Sequence, residues 1–109
     1  MRFQTKKIVD DTAITVSENY ESVQLDHIYG FSVHFVWAST TADATIQIQA
    51  SNNNVNWDAI ASASQVIANN SGNVLFNIPD VFYKYFRCVV TVTSGTVTTL
   101  EATYQIKGF

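Results

Sequence analysis

Phe31, Val33, Phe35 and Trp37 stand at every second position of one stretch, with Ser32, His34 and Val36 between them. This period of two recurs along the chain and constrains its folding more than any other feature. Only an extended strand sends successive side chains to opposite faces. Ile46, Ile48 and Ala50 alternate with Thr45, Gln47 and Gln49. Phe86, Cys88, Val90 and Val92 alternate with Tyr85, Arg87, Val89, Thr91 and Thr93. Leu100, Ala102, Tyr104 and Ile106 alternate with Thr99, Glu101, Thr103 and Gln105. Each run reads as a half-buried strand, rich in β-branched and aromatic residues.

Turn chemistry separates the runs. Thr40-Thr41-Ala42-Asp43, Asn52-Asn53-Asn54, Asn69-Asn70-Ser71-Gly72-Asn73, Pro79-Asp80 and Ser94-Gly95 mark the corners. Ser94-Gly95 reads as the tip of a hairpin between the two carboxy-terminal strands. A short strand is expected around 74–78, and weaker ones at 2–9, 13–17 and 22–25. Residues 59–68 are ambiguous and have room for a helical turn. A single antiparallel sheet would leave its apolar face wet, so two sheets must pack face to face. The expected fold is all-β: an antiparallel two-sheet β-sandwich of about eight strands, with the jelly roll as one such arrangement. A partly open barrel is the second choice.

The 109 residues are enough for one hydrophobic core and too few for two ordinary domains. Residues 1–109 read as a single sandwich domain. Residues 1–20, more polar and less periodic, read as an arm or edge strand that orders against a neighbouring subunit. The last strand runs almost to the terminus and reads as an edge open to pairing. Charged residues make up only 14% of the chain, against 47% hydrophobic. A surface wetted by Thr, Ser, Asn and Gln suits faces covered by neighbours. The net charge of −3 and the scattered Arg2, Lys6, Lys7, Lys84, Arg87 and Lys107 argue against a general nucleic-acid binder. No stretch reaches 18 apolar residues, so no membrane helix is expected. No apolar segment follows Met1–Lys7, so no secretory signal is expected.

Catalytic and metal chemistry find little purchase. Cys88, the one cysteine, sits in an apolar run and reads as a buried small hydrophobe. His27 and His34 lack ligand-spaced companions. Asp10-Asp11, Glu18, Glu21, Asp26, Asp43, Asp58, Asp80 and Glu101 form no carboxylate pair across a cleft. The segment Asn52–Asp58 raises the question of calcium, but only Asp58 in it is charged, and Asn side chains build turns without an ion. No catalytic residue, metal ligand or cofactor is assigned.

Aromatics are the stronger signal. Trp37 shares a face with Phe31, Val33 and Phe35 and is expected in the core. Trp57 follows the Asn turn and is expected to fold back over the sheet edge into the core. With Asn54 and Asn56 it is also the candidate glycan contact. Phe82-Tyr83-Lys84-Tyr85-Phe86 holds more aromatics than one strand face can bury. Either Tyr83 and Tyr85 or Phe82 and Phe86 must meet something else, a second sheet or a neighbouring subunit. These four are the candidate interface residues.

Gln49-Ala50-Ser51-Asn52-Asn53-Asn54-Val55-Asn56-Trp57 resembles a Q-A-S-N-D-G-x-x-W signature of small β-sandwich proteins in bacteriophage virions. Tyr85-Phe86-Arg87-Cys88-Val89-Val90 is similar to that family's Y-x-R-V-x-Y strand, and Ser94-Gly95-Thr96 to the turn after it. Tyr104 and Lys107-Gly108 also match, so the resemblance runs from about Gly30 to Gly108. Asn53-Asn54 replaces Asp-Gly, and Val90 stands where Tyr is common. The resemblance implies a non-enzymatic virion structural protein, a head decoration or accessory component. Its implied partners are further copies of itself and other virion proteins such as the major capsid protein, with assembly in the host cytoplasm. A carbohydrate-binding or host-attachment module is the alternative, and a surface adhesion domain a third class.

Overall fold

The computed structural model describes residues 2–25, 28–39, 41–79 and 81–108. Nine strands run through them: β1 (Arg2–Ile14), β2 (Glu18–Asn19), β3 (Val23–Gln24), β4 (Ile28–Ser39), β5 (Asp43–Ser51), β6 (Asp58–Ala68), β7 (Gly72–Ile78), β8 (Tyr85–Ser94) and β9 (Val97–Gly108). One sheet has the order β1-β9-β4-β7. The other has the order β2-β8-β5-β6, with β3 also on β8. Every pairing is antiparallel.

β2 and β3 lie along the same neighbour, at Val90–Val89 and Phe86–Tyr85 of β8, and so occupy one interrupted position. Counting them once leaves two sheets of four positions each. The chain crosses between the sheets after β1, β3, β4, β6, β7 and β8, and its end strands, β1 and β9, meet side by side. This is the jelly-roll form of the sandwich.

The alternation explains the layers. Phe31, Val33, Phe35 and Trp37 of β4 point inward, as do Ala44, Ile46 and Ile48 of β5, Phe86, Cys88 and Val90 of β8, and Leu100, Ala102 and Tyr104 of β9. They form one cluster between the sheets, in which Phe31 stacks on Phe86 at 4.3 Å and 14°. Tyr104 meets Phe86 edge-on at 5.6 Å. Each fully buried Ile, Leu or Phe contributes about 1.5–3 kcal/mol. The ion pairs of Lys7 with Glu101 (3.3 Å) and Asp10 (3.9 Å) lie on the surface, where such pairs are worth about 0–1 kcal/mol. Apolar burial therefore holds the fold, and a chain poor in charge loses little.

Three expectations are corrected. Residues 59–68 hold no helical turn but belong to β6. Its register jumps from Gln47↔Ser64 to Gln49↔Ala59, so four residues stand opposite Ile48 alone. Ile60 and Ala63 within this excursion pack on the core. The apolar positions are thereby displaced from a period of two, which hid the strand. The carboxy-terminal strand is not an edge: β9 lies between β1 and β4. The segments 2–9 and 13–17 do not form two strands. β1 runs unbroken to Ile14 as the edge of its sheet, with a register shift between Lys7 and Val9.

A fourth expectation falls too: Ser94-Gly95 is not a hairpin tip, because β8 and β9 lie in different sheets and the turn carries the chain from one layer to the other. Gly95 has φ 74°, and a Cβ there would overlap the Thr41 carbonyl oxygen, so only glycine fits the tip of the turn from β8 to β9. Thr96 N donates to Thr41 Oγ1 at 3.1 Å, tying that tip to the start of β5.

Candidate functional site

The aromatic run 82–86 lies at the corner where β7 hands over to β8. β8 begins only at Tyr85, so strict alternation does not extend back to Phe82, and the four aromatics separate. Phe86 is fully buried in the core. Tyr83 is half-buried with its ring edge-on to Phe31 at 6.4 Å. Its hydroxyl has no hydrogen-bond partner, and burial pushes it up to about 12. Tyr85 is half-buried, opposite Gln24 and Ser51. Phe82 is 87% exposed, the most exposed large hydrophobic among the described residues.

Backbone bonds fix this corner. Lys84 N donates to Ser51 O (3.2 Å) and to Asn52 Oδ1 (3.1 Å), while Lys84 O accepts from Leu25 N (2.7 Å). Phe82 thus projects from a tethered segment. Around it Leu25, Ile28, Val81 and Asn52 line a shallow depression.

The Asn turn after β5 is closed by its own side chains. Asn53 Oδ1 accepts from Val55 N, Asn56 N (both 2.9 Å) and Ser51 Oγ (3.0 Å). Ser51 Oγ accepts from Asn54 N at 2.9 Å. Asn54 sits at φ 61°, where the phage-like signature has glycine. Ser51 Oγ, Asn52 Oδ1 and Asn53 Oδ1 thus all accept from backbone N–H groups. Trp57 is half-buried and lies outside the core cluster, a correction to its expected place. The Arg87 guanidinium lies 4.5 Å from its ring centroid and occupies one face. Asn54 and Asn56 are exposed. The ring is therefore not an open stacking platform on both sides.

In the sequence Arg87 stands out only as a scattered cation and as part of the phage-like strand, with no contact legible for it. On the outer face of β8 its Nε and Nη2 donate to Gln49 Oε1 at 2.9 and 2.8 Å, and Gln49 Nε2 donates to Gln47 Oε1 at 3.1 Å. The outward positions of these residues were legible, but the register that sets Gln49 opposite Arg87 was not. A second unforeseen contact joins the sheets: Tyr20 Oη donates to Asp11 Oδ2 at 3.1 Å, and Tyr20 N donates to Cys88 O at 3.0 Å. Burial and the neighbouring carboxylate raise the Tyr20 hydroxyl far above its ordinary value.

Cys88 is buried, as expected. His34 is exposed, with Nε2 3.2 Å from Asn73 Oδ1. His27, Asp26 and Asp80 lie outside the described residues. Among the described residues no three His, Cys, Asp or Glu side chains gather as a metal site.

The chain thus belongs to the jelly-roll class of β-sandwiches. No protein-family model matches its sequence. No curated protein matches it either. Solved structures share the fold at low identity. A subunit of the disulfide-linked pili that form Bacillus endospore appendages is 14% identical, with a TM-score of 0.65 over 98% of this chain and 88% of that one. The SPBc2 prophage-derived protein YomS is 15% identical, with a TM-score of 0.55 over 97% and 95%. The PBSX exported protein XepA is 12% identical, with a TM-score of 0.71 over 97% of this chain but only 37% of its own. The VP2 subviral particle of infectious bursal disease virus and the coat protein dimer of Tobacco streak virus also share the fold, each at 12% identity.

Proposed function

We propose that the chain is a non-enzymatic structural protein of a bacteriophage particle, a head decoration or accessory component. It assembles in many copies as a single domain and touches other virion proteins such as the major capsid protein. It works by burial of surface, which needs no cofactor, nucleic acid or membrane, and it resides in the virion after assembly in the host cytoplasm. The observation that carries this reading is Phe82, a large aromatic ring held in solvent by a corner whose backbone is tied to two other segments, at Leu25 and at Ser51-Asn52. Aromatic anchors of this kind dominate protein interfaces. Tyr83 and Tyr85 flank it, and Phe86 packs behind it in the core. The phage-like residues from Gly30 to Gly108, and the prophage origin of one protein with the same fold, favour a particle as the setting.

A stable contact of this type covers about 1,000 Å² or more. The test is co-sedimentation of purified protein with phage particles that lack it. Wild-type protein is expected to pellet at a fixed ratio to the shell protein, and Phe82→Asp to stay in the supernatant with an unchanged circular-dichroism spectrum. Wild-type protein that never pellets with particles would overturn the proposal.

A further inference from the structure

Four positions border the two sheets: β1, β7, β6, and β2 with β3. Three of them carry features that block further pairing. β1 has a register shift between Lys7 and Val9 and bears Lys6, Lys7, Asp10 and Asp11. β6 departs from its partner opposite Ile48. β2 and β3 are two residues each. β7 has none of these. Its register with β4 is unbroken from Phe31↔Ile78 to Trp37↔Gly72, and its sequence, GNVLFNI, contains no charge and no proline. Among the described residues it pairs with β4 alone.

The pattern of β7 is also self-complementary. Asn73, Leu75 and Asn77 are exposed on the outer face, with Leu75 62% exposed, and Val74, Phe76 and Ile78 turn toward the core. Read backward about Leu75, asparagine falls on asparagine and apolar on apolar. Two such strands, antiparallel about a two-fold axis, set Leu75 against Leu75, each Asn73 against the other Asn77, and each Val74 against the other Phe76. No like charges meet. Val74 and Ile78, half-buried at the open border, gain the cover that the inner strands already give Val33 and Phe35.

We propose that two copies of this chain join through β7, antiparallel about a two-fold axis at Leu75, so that their β1-β9-β4-β7 sheets become continuous. The inference rests on the geometry of β7 and not on the particle reading, so the two fail separately. A protein that pellets with particles yet stays monomeric alone would sink only this one.

Sedimentation velocity across a concentration series tests it, with wild type, Leu75→Lys and Val66→Lys. Both sites are exposed, at 62% and 58%, and lie on different sheets, so neither lysine disturbs the core. Wild type and Val66→Lys are expected to dimerise alike, and Leu75→Lys to need at least ~10-fold more protein, since it brings two lysines together at the axis. Directly paired strand residues lie about 4.5–5.5 Å apart at Cα, within disulfide reach. Leu75→Cys is therefore expected to give a covalent dimer on mild oxidation, and Val66→Cys none, with the buried Cys88 a bystander. A wild type monomeric at every concentration, a dimer indifferent to Leu75→Lys, or a Leu75→Cys variant that does not cross-link would each overturn the proposal.

Discussion

Arg87 spans Trp57 and Gln49: its guanidinium lies 4.5 Å from the indole centroid, while Nε and Nη2 share the Gln49 side-chain oxygen at 2.9 and 2.8 Å. The contact braces the chain after the Asn turn against the outer face of β8. A cation over an indole contributes about 0.5–1 kcal/mol at exposed sites and a hydrogen bond about 1 kcal/mol. Arg87→Ala is expected to lose about 1–2 kcal/mol in urea unfolding and to shift Trp fluorescence. Lysine lacks the planar fork, so Arg87→Lys should recover less than half of that loss. A fully stable Arg87→Ala protein with unchanged fluorescence would show that the stack holds nothing.

Asn54 occupies the left-handed region at φ 61° with its N–H bound to Ser51 Oγ. Glycine takes that conformation freely, and a β-branched residue does not. Asn54→Gly should lie within about 0.5 kcal/mol of wild type, whereas Asn54→Val should cost about 1–3 kcal/mol by chemical denaturation. Equal stability of the two variants would contradict the turn geometry.

Phe82 and Phe86 are four positions apart but belong to different environments. Phe86 is fully buried between Phe31 and Tyr104, and Phe82 is 87% exposed. Phe86→Ala should cost about 3–5 kcal/mol, a large part of the roughly 5–15 kcal/mol that holds a domain. Phe82→Ala should stay within about 0.5 kcal/mol. Thermal melts of the pair decide it, and a strongly destabilised Phe82→Ala would place that ring in the core.

Burial pushes the Cys88 thiol up to about 12 and the Tyr83 hydroxyl to about 12. Both groups stay protonated in the folded chain above the pH at which the unfolded chain releases its protons, about 8.5 for a thiol and about 10 for a phenol. The folded state then binds more protons than the unfolded one, so stability falls as pH rises. The contribution of these two groups should be constant below pH about 8.5 and be lost from there toward 12, with Cys88 acting first. Cys88→Ala should flatten the curve between pH about 8.5 and 10. A thiol reagent should modify Cys88 only as fast as the protein unfolds, and rapid labelling of native protein would show an accessible sulfur.

The strands most legible in the sequence were β4, β5, β8 and β9. They lie inside their sheets and face solvent on one side only, which leaves a clean alternation of apolar and polar residues. β6 was not legible, because four residues at its excursion break the period and Ala and Ser dominate it. The place of β9 between β1 and β4 was not legible either, since its partners lie far away in sequence and turn residues encode only local neighbours. For the same reason the Asn turn could be read from its residues, but the seat of Trp57 under Arg87 could not. At 82–86 the error came from assuming that alternation continued beyond the start of β8.

A reconstruction of an intact phage particle containing this chain tests the central claim most directly. The account expects a jelly roll repeated in symmetric copies on the particle, with Phe82 buried against a neighbouring protein. A particle on which the Phe82 corner faces open solvent in every copy would contradict it.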